Sequence, residues 1–278
     1  MDLNWLQSLL YGLLSGLMDI LPVSAQAHRV LLLKFFGADG KSDLLYLMIH
    51  LGNFAALYFS CTNHLVRMSR ASRLSRIPKR KRKRPLDVKS LMDVRMLRTM
   101  LIPALLGIYL RQYTLNIQKN LLIISLFLFL NGVILYAPQF FATGNRDSRT
   151  LSRVEGLLMG LGGGISILPG ISATGSVTSI GSVCGVDKTY CLDMALLLNL
   201  FMNLGYAFVH TLGIAAGGAG AISFGILMRY LFTAVASFGG TMLGIRSLRA
   251  LSETHGYYLF GLYCFGLSVF SFILNLLA

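Results

Sequence analysis

Two side chains able to carry charge near neutral pH, Asp19 and His28, stand inside LLYGLLSGLMDILPVSAQAH (Leu9 to His28), a run that is otherwise apolar or small. A carboxylate left unpaired in hydrocarbon costs several kcal/mol, so an acid at that depth marks either a working site or a structural cap. In the first reading both side chains belong to that working site. In the second, Asp19 caps the helix opening near Pro22, and His28 lies at the membrane surface.

The elements that would position these groups are those of a membrane protein. Of 278 residues, 55% are hydrophobic and 13% charged, mean hydropathy is +0.65, and long apolar windows recur along the chain. The first window has no basic leader and no Ala-x-Ala end, which predicts a mature helix rather than a cleaved signal. Cys61, Cys184, Cys191 and Cys264 lie scattered in apolar stretches without metal spacing, as small buried hydrophobes do. The net charge of +14 is concentrated: between His64 and Arg98 stand 13 Lys or Arg against Asp87 and Asp93. Such a block between spans reads as a cytoplasmic loop, 64–96, attracted to anionic lipid headgroups, and not as a nucleic-acid surface.

With that loop inside, Leu44–Cys61 runs inward, Leu97–Leu110 outward and Leu121–Ala137 back. This order puts Arg146, Arg149 and Arg153 on the cytoplasmic side. From Val154 to Val186 two apolar pieces flank LPGISATGS, each too short to cross about 30 Å of hydrocarbon, so a re-entrant helical hairpin is expected there. Leu192–Ile214, Ile222–Gly244 and Tyr257–Leu277 complete six spans. Leu3–Gly37 is then a second re-entrant hairpin, dipping from outside, with both chain termini external.

The hairpins also share a signature. Gly12-x3-Gly16 leads to Leu21-Pro22-Val-Ser24-Ala25, and Gly160-x3-Gly164 leads to Leu168-Pro169-Gly-Ile-Ser172-Ala173. Repeats of opposite topology with broken helices build central sites in many transporters. The expected fold is therefore an all-α polytopic membrane protein in one domain, 1–278, with inverted-topology repeats. Repeat 1 covers about 1–137, including the basic loop, and repeat 2 about 150–278. Non-helical backbone at that depth needs protein or water around it, so the two Pro-containing tips should meet at a wet cavity. Its rim would offer Ser24, Gln26, His28 and Arg29 from one tip, and Ser172, Thr174, Gly175 and Ser176 from the other. Hydrogen-bond donors at helix N-termini favour anions, and a phosphate or diphosphate fits this inventory. Arg29 either supplies charge to that phosphate or snorkels to the outer headgroups.

GLLSGLMDILPVSAQAH and LPGISATGS, in this order and topology, resemble the undecaprenyl-diphosphate phosphatase family of the bacitracin-resistance type; His50-Leu-Gly52 is similar to that family's Gln-Leu-Gly segment. The resemblance covers nearly the whole chain. It implies two inverted repeats, a possible homodimer, the bacterial cell membrane, and a polyprenyl (di)phosphate carrier of cell-wall synthesis as ligand. It also implies metal-assisted hydrolysis, with a divalent cation, Mg or Ca, at Asp19. The family's first motif runs Glu-Gly-x-x-Glu-Phe-Leu-Pro-x-Ser-Ser-x-Gly-His and its second Pro-Gly-x-Ser-Arg-Ser-Gly. Pro22, Ser24, His28, Pro169, Gly170, Ser172 and Gly175 keep the pattern, while Ser15, Asp19, Ala25, Ala27, Ala173 and Thr174 depart from it. Ala173 in place of Arg removes a bidentate clamp for phosphate oxygens.

Two classes of function follow. One, which the resemblance implies, is a diphosphatase with an altered site: Asp19 binds metal or acts as base, His28 is nucleophile or acid, Ser24 and Ser172 hold phosphate, and Gln26, Arg29, Thr174, Gly175 and Ser176 complete the substrate contacts. The other is a non-hydrolytic transporter of polyprenyl phosphate or another anionic lipid. An assembly partner without a working site is the third and plainest option.

Overall fold

The computed structural model describes residues 3–38, 42–218, 223–254 and 256–277. Ten α-helices carry the described chain: α1 (Trp5–Ile20), α2 (Ala25–Phe36), α3 (Asp43–Ser75), α4 (Val88–Leu110), α5 (Leu121–Tyr136), α6 (Arg153–Gly164), α7 (Ala173–Val183), α8 (Lys188–Gly213), α9 (Phe224–Thr254) and α10 (Tyr258–Leu277). Five helical segments are long and apolar enough to cross a membrane, those of α3, α5, α8, α9 and α10. The sixth long helix, α4, has 23 residues, about 34 Å at 1.5 Å per residue, but carries Asp93, Arg95 and Arg98 in its first half.

The two expected hairpins are present as short helices joined by non-helical turns. α1 starts at a capping box between Asn4 and Gln7 and ends before Pro22, whose ring forces Leu21 into extended backbone (ψ 144°). α6 starts at a capping box between Ser152 and Glu155, and Leu168 is likewise extended before Pro169 (ψ 130°). Ser24 caps α2, its hydroxyl accepting from the Ala27 amide, and Ser172 caps α7, accepting from the Gly175 amide. Ser24 does so at φ 65°, the one positive φ outside glycine among the described residues.

The shared glycine pairs do one job twice. Side chains at Gly12 and Gly16 would strike the backbone oxygens of Thr233 and Ser237, so α1 lies directly on α9. Gly160 and Gly164 face the backbone oxygens of Met100 and Pro103 in the same way, laying α6 on α4. Small residues at this spacing let helix backbones approach within membranes. Between these pairs α3 packs against α8, and α5 against α10.

The basic segment is shorter as a loop than 64–96. α3 continues through Arg67, Arg70 and Arg73 to Ser75, and Asp87 caps a restart at Val88, accepting from the Ser90 amide at 3.0 Å. Arginine is a good helix former and no proline intervenes before Pro78, so the helix outruns its apolar half. At 33 residues α3 is about 50 Å long, well beyond a bilayer core of about 30 Å.

Candidate functional site

The two tips touch. The Gly170 amide donates to Ser24 Oγ at 3.1 Å, and Ser172 Oγ reaches the Leu21 carbonyl at 3.5 Å. Asn131 of α5 joins both: its Nδ2 donates to the Pro22 carbonyl at 3.0 Å, and its Oδ1 accepts from the Ser172 amide at 2.9 Å. Gly175 faces Pro22 so closely that a Cβ there would fall 2.9 Å from the proline ring. Broken backbone in the protein's middle is thus satisfied from across the gap, as a medium without water requires.

Beside the tips lies a cavity of about 110 Å³, room for several waters. Asp19, Gln26, Arg29 and Ser172 line it, as do Ala25 and Ala173. Ser24, His28, Thr174, Gly175 and Ser176 do not. Ser24 is spent on its cap and on Gly170; Thr174 Oγ1 accepts from Asn199 Nδ2 at 2.6 Å; Ser176 Oγ is buried without a partner among the described residues. His28 faces α10. Its Nδ1–H donates to the Ser24 carbonyl at 2.8 Å, which leaves Nε2 to accept from the Tyr263 hydroxyl, also at 2.8 Å. Both ring nitrogens are therefore engaged away from Asp19.

Asp19 does not cap α2, the helix that opens after Pro22; Ser24 does. Asp19 Oδ2 accepts from Asn203 Nδ2 at 2.9 Å, and its Oδ1 lies 3.5 Å from Arg29 Nη2, an ion pair too long to be a good hydrogen bond. Arg29 does not reach out to headgroups: it is 8% exposed, and its Nε and Nη2 find no hydrogen-bond acceptor among the described residues. Buried donors left unpaired cost about 1–3 kcal/mol each, more when charged, and such a debt in a cavity wall points to an anionic ligand.

The cavity's far wall comes from α3, α8 and the turn after α4. It carries His50, of the His50-Leu-Gly52 segment, and Asn203, Tyr206 and Arg111, which no motif announces. Arg111 lies over the Tyr206 ring at 5.3 Å and donates from Nη1 to His210 Nε2 at 3.2 Å, while His210 Nδ1–H donates to Asp43 at 2.8 Å. Asn199, Asn203, Tyr206 and His210 follow each other by four, three and four positions, one face of α8. That polar stripe on an apolar helix was a readable signal.

The protein alone offers a divalent cation at Asp19 a poor donor set. Among the described residues Asp19 is the single carboxylate on the cavity wall, it is paired with a guanidinium, and no group of three His, Cys, Asp or Glu is placed to hold a metal ion.

Comparison with known proteins adds the wider context. A family model described as "Bacitracin resistance protein BacA" matches residues 8–270. A protein of Methanobrevibacter smithii named "Undecaprenyl-diphosphatase" is 28% identical over 275 residues, covering 96% of each chain. One of the same name from Desulforapulum autotrophicum is 25% identical over 98% of this chain and 99% of its own. "Undecaprenyl-diphosphatase 1" of Shouchella clausii is 23% identical over 98% and 96%.

Proposed function

This chain belongs to the bacitracin resistance protein BacA family, and from that premise we propose that it binds the headgroup of a polyprenyl diphosphate in the cavity between its two tips and releases the terminal phosphate. It is a multi-pass membrane protein, so its ligand can reach the cavity from within the bilayer. The observation that carries the reading is Arg29. The family pattern has an Arg where Ala173 stands; Ala173 and Arg29 line the same cavity, and Arg29 keeps two nitrogens without hydrogen-bond acceptors among the described residues. A guanidinium from the first tip can therefore meet phosphate oxygens that the second tip no longer holds. Gln26, Ser172 and Arg111 supply further donors from the wall.

The same reading sets the chain in a bacterial plasma membrane, its basic segment cytoplasmic and both termini outside. Arg76, Arg95, Arg98 and Arg153 line a groove of about 630 Å³ with Val94, Ile102 and Leu157, a surface suited to anionic lipid headgroups. Halves of about 1–137 and 150–278, related by inversion, account for α1 on α9 and α6 on α4.

The test uses purified protein in detergent with C55 diphosphate, measuring headgroup binding and phosphate release. Arg29→Ala should weaken binding about tenfold or more, the value of a lost charge-assisted contact. Unchanged binding would overturn the proposal. Tight binding without any release by the unaltered protein would assign the cavity to carriage of the lipid instead.

A further inference from the structure

We infer that His50, set by Asn203 and Asp19, is the base for this reaction, replacing the histidine of the first tip. The inference rests on the diphosphate occupying the cavity. Its warrant is a deduction from hydrogen bonds. Asn203 spends both amide hydrogens, one on Asp19 Oδ2 at 2.9 Å and one on the Asn199 carbonyl at 3.0 Å. Its Oδ1 must then accept, so the 2.7 Å contact to His50 Nδ1 is donated by the histidine. A neutral imidazole protonated on Nδ1 carries its lone pair on Nε2. That atom has no partner among the described residues, and His50 lines the cavity that Arg29 enters. His28 is tautomerically alike, but its lone pair is spent on Tyr263. At the position of His50 the family segment carries Gln, which cannot serve as a base.

The acid, amide and imidazole thus form a line, Asp19 to Asn203 to His50, in which each group fixes the next. The His50 ring is further clamped, stacked against Tyr206 at 5.0 Å and His210 at 5.7 Å between centroids. In the step, a water gives its proton to His50 Nε2 while its oxygen bonds to the terminal phosphorus. The bond from that phosphorus to the bridging oxygen breaks, and its electron pair leaves with the lipid monophosphate. The proton then passes from His50 to solvent or product. Asp19 and Asn203 are positioning residues here, since neither touches the reacting atoms.

The experiment is His50→Gln, a change to the residue type of the family segment, with binding and release measured apart across pH. Positioned bases contribute about 10²–10⁴-fold, so kcat should fall about 100-fold or more while KM and headgroup binding stay within about threefold. The acid limb of the kcat profile should vanish with it. The charged and titratable groups facing this ring are Arg29, Arg111, Tyr206 and His210, with Asp19 behind Asn203 and Tyr46 and Lys119 on the same cavity wall, and all of them remain in the variant. Asn203→Leu, which leaves the imidazole unset, should lower kcat in the same direction by a smaller factor. Full release by His50→Gln, with Arg29→Ala still failing to bind, would overturn this inference alone. Absence of release by the unaltered protein would also overturn it, and loss of the Arg29 effect would instead remove the reading beneath it.

Discussion

The two tips are built alike and equipped differently. Each has a glycine-paired helix, a proline that ends it, and a serine that caps the next helix. The first brings Asp19, Gln26 and Arg29 to the cavity, whereas the second brings Ser166, Ile171, Ser172 and Ala173, two hydroxyls with apolar side chains and no charge. Scaffold and chemistry are therefore separable: what must pack is kept in both copies, and charge gathers in one. The far wall on α3 and α8 supplies the rest.

This contrast can be broken at its strongest point by filling the shared glycines. Gly16→Leu and Gly164→Leu would drive side chains into the backbone oxygens of Ser237 and Pro103, and each should cost about 3 kcal/mol or more. Equal loss of folded protein in the two, followed by size-exclusion profile and thermal midpoint, is the expected result. If only one is damaged, the helices do not pack as equivalents. Next is Asn131→Leu, which strips partners from the Pro22 carbonyl and the Ser172 amide; at about 1–3 kcal/mol for each group, the midpoint should drop by several degrees. The smallest effect on activity should come from His28→Phe. It forfeits hydrogen bonds to the Ser24 carbonyl and Tyr263, so the midpoint falls modestly while phosphate release changes less than about threefold. A large loss of release with normal binding would return the chemistry to the first tip.

Much of the scaffold was legible because its signals are local. Pro22 and Pro169 end helices through their own rings, the glycine pairs announce close crossings, and the polar run after each proline marks a tip. The loop bounds at 64–96 differ for a local reason too: a block of charge reads as a break between spans, whereas Arg67 to Arg73 are ordinary helical residues. At the cavity, motif reading found Asp19, Gln26, Arg29 and Ser172 but could not orient His28. The direction of a side chain depends on what packs beside it, and Tyr263 is 235 positions away. The polar stripe of α8 that holds Asn203 marks a wet face without saying what it meets, and Arg111 is one polar residue on a turn; only tertiary packing sets them on the same cavity as Asp19.

The bond pattern at Asn131 limits how the molecule can work. One amide from α5 holds a carbonyl of the first tip and an amide of the second, so parting them would strand both in a setting that offers no replacement. A headgroup bound as proposed therefore reaches the cavity past the flanks of this riveted centre and not between the tips.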